Sequence, residues 1–498
     1  MSVKKDFYDC EKEVLNLYLN AEIFNKKRLF TTLNNTPHHR INHDNENIHG
    51  IEMIIRPECN QKCEYCYIAR YGDSLYPHNE RADSATILKN IDMFLDYMFN
   101  TRKVYWEHFE LFAGDLFYDN IFFDILDIFY KYLKPLSERY PRIFEANEGL
   151  ILMPTNFSFI DDDAKAQRVD EYITKFRTEL NWDIGLSIST DGKYAVDTRE
   201  MRPVDDEHFD KLFKFTLKYP RVGFHPIISV SNVKNAIKNY DWWKTMYNHY
   251  YNNDERGWES FDFLPYWLEA RNDEWTPEAI EDFCQLMKYM VDDRFKMHGE
   301  DPEKLAYHMY VGDGQNDTIR RMYHSDIIDI RLNVDDLSYE RIGCSLNGLF
   351  CLNMGNLEMS PCHRLTYHQF RGGRFIHEND KITDVEPENV FGFINIVTAP
   401  ADAIPQCERC MYRHICTRGC LGAQFEATGE VFQPCVTVCD LFKTYFGFLV
   451  EYYDQLGVLD AALRNGWITE RDMRIYNGIK EYYTELRRRK DIEEKRFQ

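Results

Sequence analysis

The chain has 498 residues, with 60 Lys and Arg against 82 Asp and Glu and a formal net charge of −22. Hydrophobic residues make up 44% and aromatics 15%, which excludes a disordered or low-complexity chain and allows a large core without disulfide staples. The acidity argues against nucleic acid as a partner, and no apolar run approaches the ~18 residues of a membrane span. The polar start MSVKKDFYDCEKEV does not fit a secretory signal, so the expected compartment is the cytoplasm, where thiols stay reduced.

Residues 1–50 read as a polar N-terminal extension, a helix and a loose lead-in. Strands and helices alternate from there. Residues 51–56 (IEMIIR) form an apolar run stopped by Pro57, and 84–100 has helical spacing with Asp83 or Ser84 as cap. Strands follow at 104–112, 149–154, 184–190, 222–230 and 261–268, with helices at 122–133, 163–176, 206–217, 236–250 and 277–292. Thr276 and Pro277 open the last of these helices. Six such units predict an α/β fold with a parallel sheet, curled over residues 51–299 into a partial (β/α)6 barrel. In parallel barrels chemistry sits at the C-terminal ends of the strands.

Residues 300–343 are polar, with Gly-Asp-Gly at 312–314, and read as a linker or lid. Residues 344–440 are rich in cysteine and turn residues and are expected to be held together by metal. Residues 441–498 read as C-terminal helices, with a capping-box pattern at Thr469-Glu-Arg-Asp472.

The cysteines fall into two groups. Cys59, Cys63 and Cys66 lie directly after the first strand, and nine lie from Cys344 to Cys439, with none between Cys66 and Cys284. Buried thiols acting as small hydrophobes account for Cys10 and Cys284 but not for clusters. Soft thiolates select zinc or iron–sulfur centres. Three thiolates on the tight loop Cys59-Asn-Gln-Lys-Cys63-Glu-Tyr-Cys66 can hold three irons of a 4Fe–4S cube and leave the fourth open, as a catalytic metal requires. Zinc would need a fourth ligand, and the nearest upstream histidines are His43 and His49.

This loop resembles the C-x3-C-x-aromatic-C motif of the radical S-adenosylmethionine superfamily, with Tyr65 as the aromatic residue. The resemblance implies that the open iron chelates the amino and carboxylate groups of S-adenosylmethionine. One electron would then release a 5′-deoxyadenosyl radical that abstracts a substrate hydrogen. Further matches follow at successive strand ends. Ala113-Gly114-Asp115 stands where the family has Gly-Gly-Glu, and Thr155-Asn156 where it has Thr-Asn-Gly. Ile188-Ser189-Thr190-Asp191-Gly192 is similar to its Ile-Ser-x-Asp-Gly, followed by Asp197 and Arg199, with Arg202 a second candidate for the cofactor carboxylate. The resemblance thus assigns cofactor contacts to Tyr65, Ala113, Gly114, Asp115, Asn156, Ser189, Arg199 and Arg202.

The run Cys407-x2-Cys410-x5-Cys416-x3-Cys420-x18-Cys439, with Tyr412, Arg413 and Gly419 inside it, resembles the SPASM domain of radical enzymes that modify peptides and proteins. The resemblance implies two auxiliary 4Fe–4S clusters, for three in all. One would take Cys344, Cys351, Cys362 and Cys420; the other would take Cys407, Cys410, Cys416 and Cys439, with Cys435 competing for the last place. A pair of zinc ribbons uses the same C-x2-C spacing and is the competing reading. The residue after Cys362 is His363, where the sulfatase-maturating branch has an aspartate base, and Gly355-x6-Cys362 is longer than that branch's spacing. His363 is either a catalytic base or a satisfied group beside the cluster.

The resemblance covers roughly residues 50–445. It implies a maturase that oxidatively modifies a ribosomally made precursor peptide, by a thioether or carbon–carbon crosslink. An external flavodoxin- or ferredoxin-type donor would supply electrons. Leader recognition would use the N-terminus, residues 300–343 or a separate protein. The alternatives are formylglycine formation, small-molecule dehydrogenation and a non-catalytic electron-transfer protein. Tyr266, Glu269 and Arg271, at the end of the sixth predicted strand, either face substrate or belong to the barrel rim.

Overall fold

The computed structural model of the protein describes residues 2–23, 50–106, 108–118, 121–141, 144, 149–195, 205–251, 274–310, 349–399, 403–414, 416 and 419–497. They divide into two compact units. The first comprises residues 1–190, 199–225 and 345–399; the second comprises 191–198, 226–344 and 400–498.

In the first unit, helix α1 (Ser2–Tyr18) precedes strand β1 (Gly50–Arg56). There follow α2 (Tyr67–Leu75), α3 (Ser84–Asp96), β2 (His108–Ala113), α4 (Ile121–Arg139), β3 (Leu150–Thr155), α5 (Asp163–Leu180), β4 (Asp183–Ile188), α6 (Asp206–Lys218) and β5 (Val222–Phe224). Asp83 caps α3 by accepting the N–H of Thr86 at 2.8 Å, as the spacing predicts. Asp162 and Asp205 cap α5 and α6 in the same way.

The strands β1 to β5 are parallel neighbours in chain order. Alternate residues point to one face. Ile51, Met53, Phe109, Leu111, Ile151, Met153, Ile184, Leu186 and Ile188 are at most 1% exposed. Phe129 of α4 meets Phe109 edge to face, with centroids 4.9 Å apart. Burying each such side chain contributes about 1.5–3 kcal/mol. The opposite face carries Glu52, Glu110, Phe112, Leu152 and Ser187, a mixed polar lining.

Strand bounds differ from expectation in two places. The predicted strand at 104–112 starts at His108, because Lys103 is left-handed and Val104 bonds back to Met98. The predicted strand at 222–230 ends at Phe224. Its pairing closes with the N–H of His225 on Ile188, and Pro226 has no N–H to continue it. The predicted sixth strand, with Tyr266, Glu269 and Arg271, lies outside the described residues.

The segment 344–440, drawn from sequence as one metal-held piece, has two parts. Residues 349–399 continue the sheet of the first unit, whose strand order is β5-β4-β3-β2-β1-β6-β7-β8-β9. Here β6 is Leu349–Asn353, β7 is Glu358–Ser360, β8 is Gly373–Glu378 and β9 is Lys381–Pro387. β6 is parallel to β1, and the other three form an antiparallel meander. Apolar burial holds this part: Phe350, Leu352, Met354, Leu357 and Met359 are at most 1% exposed. Leu15 of α1 packs close to Gly373 of β8.

The second unit is helical. It contains α7 (Ala236–Tyr250), α8 (Pro277–Met297) and α9 (Pro302–Tyr310), the last within the segment expected to be a linker or lid. Further along come α10 (Leu421–Thr428), α11 (Val436–Gln455), α12 (Val458–Arg464) and α13 (Glu470–Phe497). Thr276 caps α8 through Ala279 at 3.2 Å. The box at Thr469 closes in both directions: Thr469 N–H donates to Asp472 at 2.7 Å, and Asp472 N–H donates to Thr469 Oγ1 at 3.3 Å. At Gly447 the backbone of α11 lies against Tyr483 of α13, where a Cβ would stand 2.6 Å from that side chain. Among the described residues no helix is long and apolar enough to cross a membrane.

Candidate functional site

The loop after β1 carries Cys59, Cys63 and Cys66. It is folded by its own backbone: Cys66 N–H donates to Cys63 O at 3.0 Å, and Cys66 O accepts the Arg70 N–H at 3.0 Å where α2 begins. Gln61 N–H donates to Cys59 Sγ at 3.4 Å. Arg70 of α2 reaches back to Glu64 O at 2.7 Å. Tyr65 is 5% exposed, so the aromatic position of the motif anchors the loop from inside.

The end of β2 is built against this loop. Gly114 N–H donates to Arg56 O, and Asp115 N–H to Glu58 O, both at 2.9 Å. A Cβ on Gly114 would stand 2.1 Å from Glu58 O and 2.5 Å from Pro57 O. Only glycine fits this close approach of two backbones. Ala113 pairs in register with Arg56.

Asp115 is 1% exposed, and its carboxylate is used inside the fold. Oδ1 accepts Phe117 N–H at 2.8 Å; Oδ2 accepts Asn156 N–H at 2.9 Å and Thr155 Oγ1 at 3.1 Å. Burial raises its pKa against the pull of these donors and of Lys165. Asp115 therefore joins the ends of β2 and β3. Asn156, 6% exposed, turns its amide nitrogen toward Asn60 Oδ1 and, at 3.8 Å, Cys59 Sγ. Ser189, at the end of β4, is joined to β3 by its N–H on Thr155 O at 2.8 Å. Cys59 is exposed as a residue, yet its sulfur is crowded: desolvation pushes the thiol up to about 11, Asp115 and Cys66 adding, Gln61 and Asn156 opposing.

A second polar group lies on the same unit's mixed face. Glu52, Glu110 and Cys351 share one register row across β2, β1 and β6. Glu52 is 2% exposed; its oxygens meet Nδ1 of His363 and, at 3.2 Å, the His363 N–H. His108 Nε2 lies 3.0 Å from Glu110. Tyr76 donates to His363 O at 2.8 Å, and Arg364 lies over the Tyr67 ring at 4.9 Å. Burial, then Glu52 and Cys362, hold the Cys351 thiol well above its usual value. Glu52 was not singled out in sequence. The available signal is one carboxylate inside IEMIIR, since a buried carboxylate is almost always paired.

In the second unit, a short helix (Pro405–Glu408) carries Cys407, and Cys410 directly precedes a 3-10 turn (Met411–His414). Cys410 N–H donates to Cys407 O, and Cys416 N–H to Tyr412 O. Tyr412 donates to Lys443 O at 2.9 Å, fastening the turn to α11. Burial pushes the Cys439 thiol up to about 12, with Cys416, Cys407 and Cys410 adding to it and Lys443 opposing. Cys416, Cys407 and Cys410 therefore lie within electrostatic reach of Cys439. Cys435 directly precedes α11 and contacts Thr437 Oγ1 at 3.5 Å, and Cys420 directly precedes α10.

The assigned residues are distributed over both units. Cys351 and Cys362 belong to the first unit and Cys420 to the second. Cys344, Asp197, Arg199 and Arg202 lie outside the described residues. Among the described residues no three His, Cys, Asp or Glu side chains converge as for a single metal ion; an iron–sulfur cube spreads its thiolates wider than one ion does.

No protein-family profile and no curated protein matches the chain. Among solved structures, SuiB of Streptococcus suis bound to S-adenosylmethionine aligns at TM-score 0.39 and 12% identity, covering 79% of this chain and 75% of that one. A second SuiB structure aligns at TM-score 0.38 and 12% identity, covering 79% and 77%.

Proposed function

We propose that the chain is a radical S-adenosylmethionine enzyme of the SPASM kind that oxidatively modifies a ribosomally made peptide, by a thioether or carbon–carbon crosslink. The observation that carries this reading is the three-thiol loop at the C-terminal end of β1, closed against Gly114 and capped by Asn156 from the two neighbouring strand ends. The donor set fits a 4Fe–4S cluster: three soft thiolates from one loop, one of them already accepting two N–H groups. When bound, such a cluster supplies the electron that cleaves the sulfonium of S-adenosylmethionine to a 5′-deoxyadenosyl radical.

The remaining roles belong to the chain itself. Cys59, Cys63 and Cys66 hold the cluster, and Gly114 lets β2 approach the loop. Asp115 fixes the ends of β2 and β3 beneath it. His363 is the candidate base. With Nδ1 engaged by Glu52, a proton it takes goes to Nε2. Cys407, Cys410, Cys416 and Cys439 hold an auxiliary cluster that passes the substrate's electron on.

The test is iron and acid-labile sulfide per chain after anaerobic reconstitution, together with 5′-deoxyadenosine release. Three 4Fe–4S clusters require about 12 iron, and Cys63→Ala should keep about 8 while losing 5′-deoxyadenosine. Continued 5′-deoxyadenosine release by Cys63→Ala overturns the reading.

A further inference from the structure

The orientation of the Asn156 amide is fixed by its neighbours. Its Oδ1 accepts the N–H of Ser158 at 3.0 Å, so Nδ2 must face the opposite way. There it meets two acceptors, Asn60 Oδ1 and Cys59 Sγ, the sulfur at 3.8 Å. A flipped amide would set oxygen against both acceptors and nitrogen against the Ser158 N–H. The residue has little freedom to move: its own N–H is held by Asp115 at 2.9 Å, and it is 6% exposed. Asn60 is held in turn, its amide donating to Ser158 Oγ at 3.2 Å. Cys59 sulfur thus accepts a side-chain N–H from the end of β3 and a backbone N–H from Gln61.

We propose that Asn156 is a positioning residue that sets the reduction potential of the cluster held by Cys59, Cys63 and Cys66, through its amide N–H on the Cys59 sulfur. Hydrogen bonds to cluster sulfurs raise the potential, because the reduced state carries more negative charge on sulfur for the donor to stabilise. The inference rests on the reading of these three thiols as cluster ligands. It gives Asn156 a partner other than S-adenosylmethionine, the partner implied by the family resemblance.

The experiment is a redox titration followed by electron paramagnetic resonance on the anaerobically reconstituted full chain. The first-cluster signal is identified as the one missing from Cys63→Ala. Asn156→Asp keeps the shape and the acceptor for Ser158 but has no donor for sulfur. Its one-electron equilibrium should shift at least tenfold toward the oxidised form, about 59 mV more negative. Asn156→Ala should shift the same way by less, and Ser158→Ala should stay at the wild-type value. An unchanged potential in Asn156→Asp with the cluster retained overturns the proposal alone. A Cys63→Ala spectrum that lacks no signal overturns the parent reading with it. If Asn156→Asp does not load iron, wild-type chain carrying asparagine labelled with ¹⁵N in its side chain decides the matter. A weak ¹⁵N coupling to the reduced cluster supports the donor, and its absence overturns it.

Discussion

The imidazole of His363 lies flat on the ring of Phe112, with centroids 3.7 Å apart and planes 8° from parallel, while Nδ1 meets the buried carboxylate of Glu52. The ring is thus clamped between β1 and β2. Breaking a buried pair from one side strands the other group, at a cost of about 3–5 kcal/mol. Because the His363 side chain is 21% exposed and that of Glu52 only 2%, losing the imidazole should cost more than losing the carboxylate. His363→Leu and Glu52→Leu should each lower the denaturation midpoint of the first unit, the former by more. The double variant should recover most of the loss, since a matched apolar pair replaces a buried polar one with little penalty. Simple additivity of the two losses in denaturant melts would show that the groups are not coupled.

Gly114→Ala tests whether the approach of β2 to the cysteine loop matters for metal. The added Cβ would meet backbone oxygens of both Glu58 and Pro57, not a flexible side chain. The loop must therefore move, at about 1–3 kcal/mol of strain. The expected outcome is a chain that folds but loses about 4 iron on reconstitution. Full iron loading by Gly114→Ala would mean that the loop tolerates displacement and that this contact is not a constraint on the site.

Much of this arrangement is legible from sequence, and the rest fails for identifiable reasons. The first four strands and their helices announce themselves by apolar runs and by the cap Asp83, as α8 does by Thr276, because these signals are local. The continuation of the sheet through β6 is not local. Leu349–Asn353 (LFCLN) is a five-residue run surrounded by cysteines and turn residues, and only its pairing with β1, almost three hundred positions earlier, makes it a strand. Glu52 is hidden for the same reason. Its partner His363 arrives from that distant segment, so a lone carboxylate in an apolar strand gives no hint of what satisfies it. Asp115, which the resemblance assigns to the cofactor, has partners that sequence does not show: its carboxylate accepts from Phe117, Thr155 and Asn156 within the fold.

Asp115→Asn should therefore act on folding before it acts on chemistry. Both carboxylate oxygens accept from N–H or O–H donors, so an amide must turn its NH2 toward at least one of them. An unsatisfied buried donor costs about 1–3 kcal/mol. Thr155→Val removes the hydroxyl donor to Asp115 and also the acceptor of the buried Phe157 N–H at 3.0 Å, so it should likewise cost about 1–3 kcal/mol. The check is the thermal midpoint of the iron-free chain. An Asp115→Asn variant as stable as wild type would show that the carboxylate is not needed to join the two strand ends.

The half-buried thiol of Cys439 gives a prediction whose sign follows from linkage. Its pKa in the folded chain is pushed up to about 12, from about 8.5 for a free thiol. The folded state thus holds this proton more tightly than the unfolded state does. The resulting stability is fully present below about pH 8.5 and is lost as pH rises toward 12. The iron-free second unit should accordingly melt at lower temperature at pH 10.5 than at pH 8. Cys439→Ser, which has no thiol to titrate, should show a shallower decline. Metal reverses the dependence, because a bound thiolate has already given up its proton, and loading releases protons to solvent. Iron uptake by the second unit should therefore be favoured as pH rises over the range in which the iron-free unit weakens. Parallel pH profiles for wild type and Cys439→Ser, measured by calorimetry without metal, would remove Cys439 as the source of the trend.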